Sequence, residues 1–143
     1  DWDASHRAPH KGIQSLVRDL NTVYRDTPAL FAKDCDPSGF QWLDGGDADQ
    51  STLSYIRRGG PNDAPVIVVC NFTPVERTGF RVGVSQGGFW QEILNTDAEV
   101  YGGGNRGNMG GLTAQDVPYH GQEASLEITL PPLATVIFRA SGV

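Results

Sequence analysis

The hydrophobic period of this chain changes once, near residue 39, and that change limits the folds open to it. Before it, Ile13, Leu16, Val17, Leu20, Val23 and Tyr24 fall at i, i+3, i+4, i+7, i+10 and i+11, the spacing of one helical face. Pro9 suits a first turn, and Thr27-Pro28 stops the helix because the residue before a proline is pushed out of the α region. One amphipathic helix of about four turns is predicted, with a second short helical turn over 28–33. After Asp36-Pro37-Ser38-Gly39 the period is 2. Phe40 and Trp42, Leu53 and Tyr55, the series Phe80, Val82 and Val84, and the series Leu126, Ile128 and Leu130 each alternate with polar or small residues. Such alternation marks strands with one buried and one wet face, as in antiparallel sheets. The runs 66–72 and 133–138 are apolar on both faces and read as central strands. Turn signals separate these runs at Asp44-Gly45-Gly46-Asp47, Gly59-Gly60-Pro61-Asn62, Thr73-Pro74, Gln86-Gly87-Gly88 and Leu130-Pro131-Pro132. About seven short strands punctuated in this way predict a mainly β chain folded as an antiparallel β-sandwich.

The helix has no helical partner. A sandwich whose sheets bury each other offers it only an edge or an outer face, so it is expected to belong partly to another domain. The pattern also has one long gap, 96–124, with six glycines between Gly102 and Gly111. A loop of that length inside a domain is usually functional or packed on something that orders it.

The 143 residues suffice for a core without disulfides or metal. A net charge of −6 argues against a nucleic-acid or anionic-membrane partner, since both need clustered Lys and Arg. The longest apolar run, 64–70, is far short of the roughly 18 residues of a membrane span. The chain opens on Asp1 with no leader, which reads as a processed chain or a piece of something longer. Cys35 and Cys70 are no disulfide framework and read as reduced, half-buried thiols of a cytosolic protein.

Motifs for chemistry fail one by one. The segment 102–107 satisfies G-x-G-x-x-G, but Asn108-Met109-Gly110-Gly111 follows where a helix must begin, so a Gly/Asn loop is expected rather than a dinucleotide site. His6 and His10 are four apart, yet Pro9 lies between them and no third ligand is evident; the calcium-loop pattern begun by Asp1, Asp3 and Ser5 has His6 where glycine is required. The Asn71-Phe72-Thr73 sequon precedes Pro74 and has no secretion signal with it. No metal, cofactor or catalytic constellation is read from these residues. Among the aromatics, Trp42, Trp90, Tyr55, Tyr101 and Tyr119 could stack on sugar rings, although most aromatics of a sandwich are core. Trp42 stands out beside the polar tract 44–51, and Trp90 alternates with Phe89, so one of that pair should face outward or onto a partner domain.

Longer strings carry a resemblance. His10-Lys11-Gly12-Ile13-Gln14-Ser15-Leu16-Val17-Arg18-Asp19-Leu20-Asn21, Tyr24-Arg25, Asp36-Pro37-Ser38-Gly39-Phe40-Gln41-Trp42-Leu43, Arg57-Arg58, Asn71-Phe72-Thr73-Pro74-Val75, Trp90-Gln91-Glu92-Ile93-Leu94-Asn95-Thr96-Asp97 and Leu130-Pro131-Pro132-Leu133-Ala134-Thr135 follow in this order. Together they resemble the C-terminal end of bacterial glycogen branching enzymes, in the α-amylase superfamily. The resemblance implies that 1–34 is the last helix and connection of a catalytic (β/α)8 barrel, and 35–143 a C-terminal Greek-key sandwich. It implies a parent enzyme, cytoplasmic, that moves α-1,4-glucan segments to α-1,6 linkage with retention, using carboxylates on barrel strands preceding Asp1. No catalytic residue, metal or cofactor then maps onto this chain, which is expected to be inactive alone and to buttress the barrel. Its implied partners are that barrel and α-glucan. Trp42 and Trp90 are the candidate glucan contacts, and Ile13, Leu16, Val17, Leu20, Tyr24, Tyr101, Asn105 and Asn108 the candidate barrel-packing residues. On this reading the sandwich should stay folded without its first 30 or so residues. The alternative is a stand-alone carbohydrate-binding or regulatory β-sandwich module.

Overall fold

A computed structural model of the chain describes residues 8–33, 36–47 and 51–141. The expectations for Asp1, Asp3, Ser5, His6 and Cys35 lie outside the described residues, as does the 34/35 division. In chain order the elements are helix α1 (Ala8–Asp26) and strands β1 (Phe40–Asp47), β2 (Thr52–Arg57), β3 (Val66–Asn71), β4 (Arg77–Val84), β5 (Phe89–Asn95), β6 (Gly111–Thr113), β7 (Ala124–Leu130) and β8 (Thr135–Ala140). Short 3-10 turns occupy Pro28–Leu30, Pro37–Gly39 and Glu99–Tyr101.

The fully apolar runs are central. β3 and β8 pair antiparallel in the middle of a six-stranded sheet ordered β1-β2-β3-β8-β5-β6, and β4 with β7 forms a two-stranded ribbon laid over one face. Alternation sorts the side chains of β3 and β8 into two cores. Ile67, Val69, Val136 and Phe138 face the ribbon and pack with Val82, Val84, Leu126, Ile128 and Leu130. Val66, Val68 and Ile137 face the other way, with Leu94 and Ala29, and are covered by Leu16, Val23, Leu30 and Tyr101. The molecule is thus mainly β in antiparallel sheets, as expected, with α1 as a third layer on the outer face of the larger sheet. From the first 30 or so residues, Leu16, Val23, Ala29 and Leu30 belong to or cover this second core.

Two local differences have one cause. Asp44-Gly45-Gly46-Asp47 is not a turn: β1 continues through it with register shifts after Trp42 and after Asp44, the bulges that glycine within a strand often marks. β5 lacks clean alternation because its register on β8 slips between Glu92 and Leu94, so Ile93 and Leu94 both join the helix-side core. The run 133–138 begins its strand at Thr135; Leu133 is left outside, exposed, at φ 49°.

Candidate functional site

Helix α1 presents two adjacent faces. Gly12, Leu16, Asp19 and Val23 (i, i+4, i+7, i+11) are buried or half-buried against the domain. One residue further round, Ile13, Val17, Leu20 and Tyr24 are 59%, 51%, 39% and 50% exposed. The apolar stripe is therefore wider than the sheet beneath it can cover, and its uncovered half extends to Phe31, whose ring lies 5.6 Å from that of Tyr24. Of the expected barrel-packing residues on the helix, only Leu16 turns into this domain.

The inner face meets the long loop. Gly12 lies against the Tyr101 carbonyl so closely that a Cβ would sit 2.6 Å from its oxygen. The Tyr101 hydroxyl donates to Asp19 Oδ2 at 2.6 Å. Burial first, then the neighbouring carboxylate, pushes the Tyr101 phenol up to about 12; the same hydrogen bond holds Asp19 below the usual carboxylate range. The loop that sequence reading set against a missing neighbour thus packs on the chain's own helix at this point.

Polar contacts also order the glycine-rich segment from within. The Asp97 carboxylate accepts from the Gly104 and Arg106 amides at 3.0 Å each, and its carbonyl accepts from the Asn105 amide at 2.6 Å. Asn95 accepts from the Asp97 amide and donates to the Arg106 carbonyl. Gly103 abuts the Asp97 backbone, leaving no room for a side chain. Asn105, expected to pack on the barrel, uses its side-chain oxygen on the Glu99 amide. Asn108, also expected to pack on the barrel, is 6% exposed, donates to Glu92 and to the Thr129 carbonyl, and accepts from the Thr129 amide, so it ties the loop to β5 and β7. Burial raises the Glu92 carboxyl against the opposing pull of Asn108. Among the described residues no helix follows Gly107, in keeping with a Gly/Asn loop.

The aromatic expectations separate cleanly. Trp42 sits on β1, at the edge of the sheet, 54% exposed. Phe40 supports its ring edge-on at 4.9 Å, and Tyr55 does so at 5.9 Å from the paired position on β2. Phe40 and Tyr55 stack on each other at 5.0 Å, giving Trp42 a rigid apolar backing. Trp90 is a correction. It is fully buried in the inter-sheet core and donates its indole N–H to the Gln86 carbonyl, so no ring face remains for a sugar; Phe89 is the exposed member of the pair. Tyr119 is half-exposed against His120. Sequence reading passed over Phe31, Phe40 and Asp97 as site residues. Phe40 stood two positions from Trp42, and Asp97 stood before three consecutive glycines, which were the available signals.

Residues 42–141 match the family described as the alpha amylase C-terminal all-beta domain. The chain is 58% identical over 139 residues to the 1,4-alpha-glucan branching enzyme GlgB of Jannaschia sp. (strain CCS1), covering 97% of this chain and 20% of that protein. It is 52% identical over 136 residues to the enzyme of the same name from Cereibacter sphaeroides, covering 95% of this chain and 18% of that protein. Against that of Cupriavidus necator it is 54% identical over 140 residues, or 97% of this chain and 18% of that protein. The chain spans about a fifth of the length of these curated relatives.

Proposed function

The chain belongs to the alpha amylase C-terminal all-beta domain family, and on that footing we propose that it is the C-terminal domain of a cytoplasmic 1,4-alpha-glucan branching enzyme. Residues 1–34 contribute the last helix and connection of the catalytic barrel, and 35–143 form the β domain. The single observation that carries this reading is the two-faced helix: one apolar face covers the domain's second core, and the adjacent face, with Ile13, Val17, Leu20 and Tyr24, stays open for a barrel. The domain holds that helix in place from one side, while the barrel preceding it supplies the carboxylates for retaining transfer. Neither nucleic acid nor membrane is a partner; the net charge of −6 disfavours both.

Trp42 is the glucan contact. A flat exposed indole backed by two rings is a stacking platform for a pyranose, and Trp90 has no such role. Native electrophoresis through glycogen tests this: the chain is retarded, and Trp42→Ala migrates as it does without glycogen. Equal mobility of both proteins with and without glycogen removes the glucan contact. An amylose assay tests the division of labour, since the isolated chain forms no new α-1,6 linkages; any such linkage would place chemistry in this chain and contradict the proposal.

A further inference from the structure

Beyond the helix stripe, one end of the sandwich combines two properties that seldom coincide: it is cross-braced by polar contacts, and it points large apolar side chains at solvent. Three loops meet there. The Asn71 side chain donates to the Val75 and Pro131 carbonyls and accepts from the Thr73 amide and hydroxyl. The Leu133 amide donates to the Thr73 carbonyl, and Thr96 exchanges hydrogen bonds with Thr135. Arg106, held by Asp97 and Asn95, reaches Glu76 at 3.6 Å. From this frame project Phe72 (63% exposed), Val75 (54%), Leu133 (67%) and, at its rim, Met109, which is fully exposed. Leu133 and Met109 hold φ of 49° and 53°, the left-handed region that side-chain-bearing residues enter at a cost. Strained backbone and invested hydrogen bonds that lift apolar groups into water describe a surface organised in advance for a partner.

We propose that this loop end is a second docking surface for the preceding part of the same polypeptide, contiguous with the open face of α1. The inference rests on the reading of the chain as a C-terminal domain. In that reading about four fifths of the protein precedes it, by comparison with relatives of which it spans 20%. The start of α1 points to the same occupant. Gly12 packs on Tyr101 and Gly102, in the loop that follows β5, and β5 ends beside the start of β8 and the end of β3. Gly12, in the early turns of α1, therefore lies toward the end where Phe72 and Leu133 protrude. Val100 is 61% exposed on the 3-10 turn that packs on α1.

Hydroxyl-radical footprinting of the whole polypeptide tests the proposal, with Val117 as an exposed reference on another loop. Phe72, Met109 and Leu133, each normalised to its own labelling in the denaturant-unfolded polypeptide, are expected to label about tenfold less than Val117 normalised in the same way, because a packed interface excludes water as an interior does. Phe72→Asp restores labelling at Met109 and Leu133. Leu133→Gly separates docking from folding: it relieves the left-handed backbone and leaves the domain at least as stable, yet raises labelling at Phe72. Full labelling of the three residues with Tyr24 protected overturns the loop-end surface and leaves the domain assignment standing. Labelling of Tyr24 as well overturns both. Protection that appears only with added maltoheptaose makes the end a glucan site, and protection that rises with protein concentration makes it a self-association surface; either result overturns the proposal.

Discussion

The pair Tyr101–Asp19 joins residues 82 positions apart and fastens the long loop to the helix. Its titration is a direct probe of that junction. With the phenol pushed up to about 12, the neutral hydroxyl donor persists through the ordinary tyrosine range. Asp19→Asn removes the neighbouring charge, and spectrophotometric titration should then find the Tyr101 midpoint lower, though still raised by burial; an unchanged midpoint would mean the contact is not made in solution. The sign for Asp19 is the opposite. Its folded carboxyl titrates below the unfolded one, so its stabilising contribution is present above the ordinary Asp value and is lost as pH falls through the lowered folded one. Glu92 acts against it: burial raises its folded value, so its ionisation disfavours the fold as pH rises through that range.

For the helix, the decisive position is Gly12. Alanine in place of glycine inside a helix normally stabilises by about 1 kcal/mol through propensity. Here the added Cβ would lie 2.6 Å from the Tyr101 oxygen and 2.8 Å from its carbon, both backbone atoms that cannot swing aside. Gly12→Ala should therefore lower the thermal midpoint, and a raised midpoint would show that α1 does not pack on the loop this closely. Sequence periodicity placed a helix of about four turns between Pro9 and Thr27, because a stripe at i, i+3, i+4 and i+7 has few other meanings, and α1 runs about a turn longer, over Ala8–Asp26. It missed β5 because the slip at Ile93 breaks the alternation, and it took the glycines of β1 for a turn because a bulge and a turn draw on the same residue types.

In the assembled domain, the helix is part of the fold as well as of its candidate interface. Val66, Val68, Leu94 and Ile137 are at most 7% exposed beneath the helix layer. Complete burial of such a side chain is worth about 1.5–3 kcal/mol, against a total stability of about 5–15 kcal/mol for a domain. Deleting the residues before Asp36 should therefore leave a chain that binds a hydrophobic dye and loses its cooperative thermal transition. A sharp transition with native near-ultraviolet circular dichroism would show that the sheet does not depend on α1.

The local order of this chain was written in its hydrophobic periods: one helix, then alternating strands, with the doubly apolar runs 66–72 and 133–138 at the centre of the larger sheet. Those periods report which side chains must leave water, and that requirement acts wherever the partner comes from. Partner choice depends on layers that meet only after the chain has turned back on itself. Trp42 and Trp90 are both tryptophans in strands, yet one caps a sheet edge and the other fills the inter-sheet core, because β1 has a single neighbour and β5 has two plus a ribbon above it. The helix stripe was legible as apolar, but its division into a covered and an open half follows from the width of the sheet beneath it. Asn108 and Leu133 look alike in sequence, each beside turn residues. Folding turned one inward to join two elements and left the other facing solvent, since hydrogen-bond partners such as Thr129 and Thr73 are brought within reach only by the finished topology.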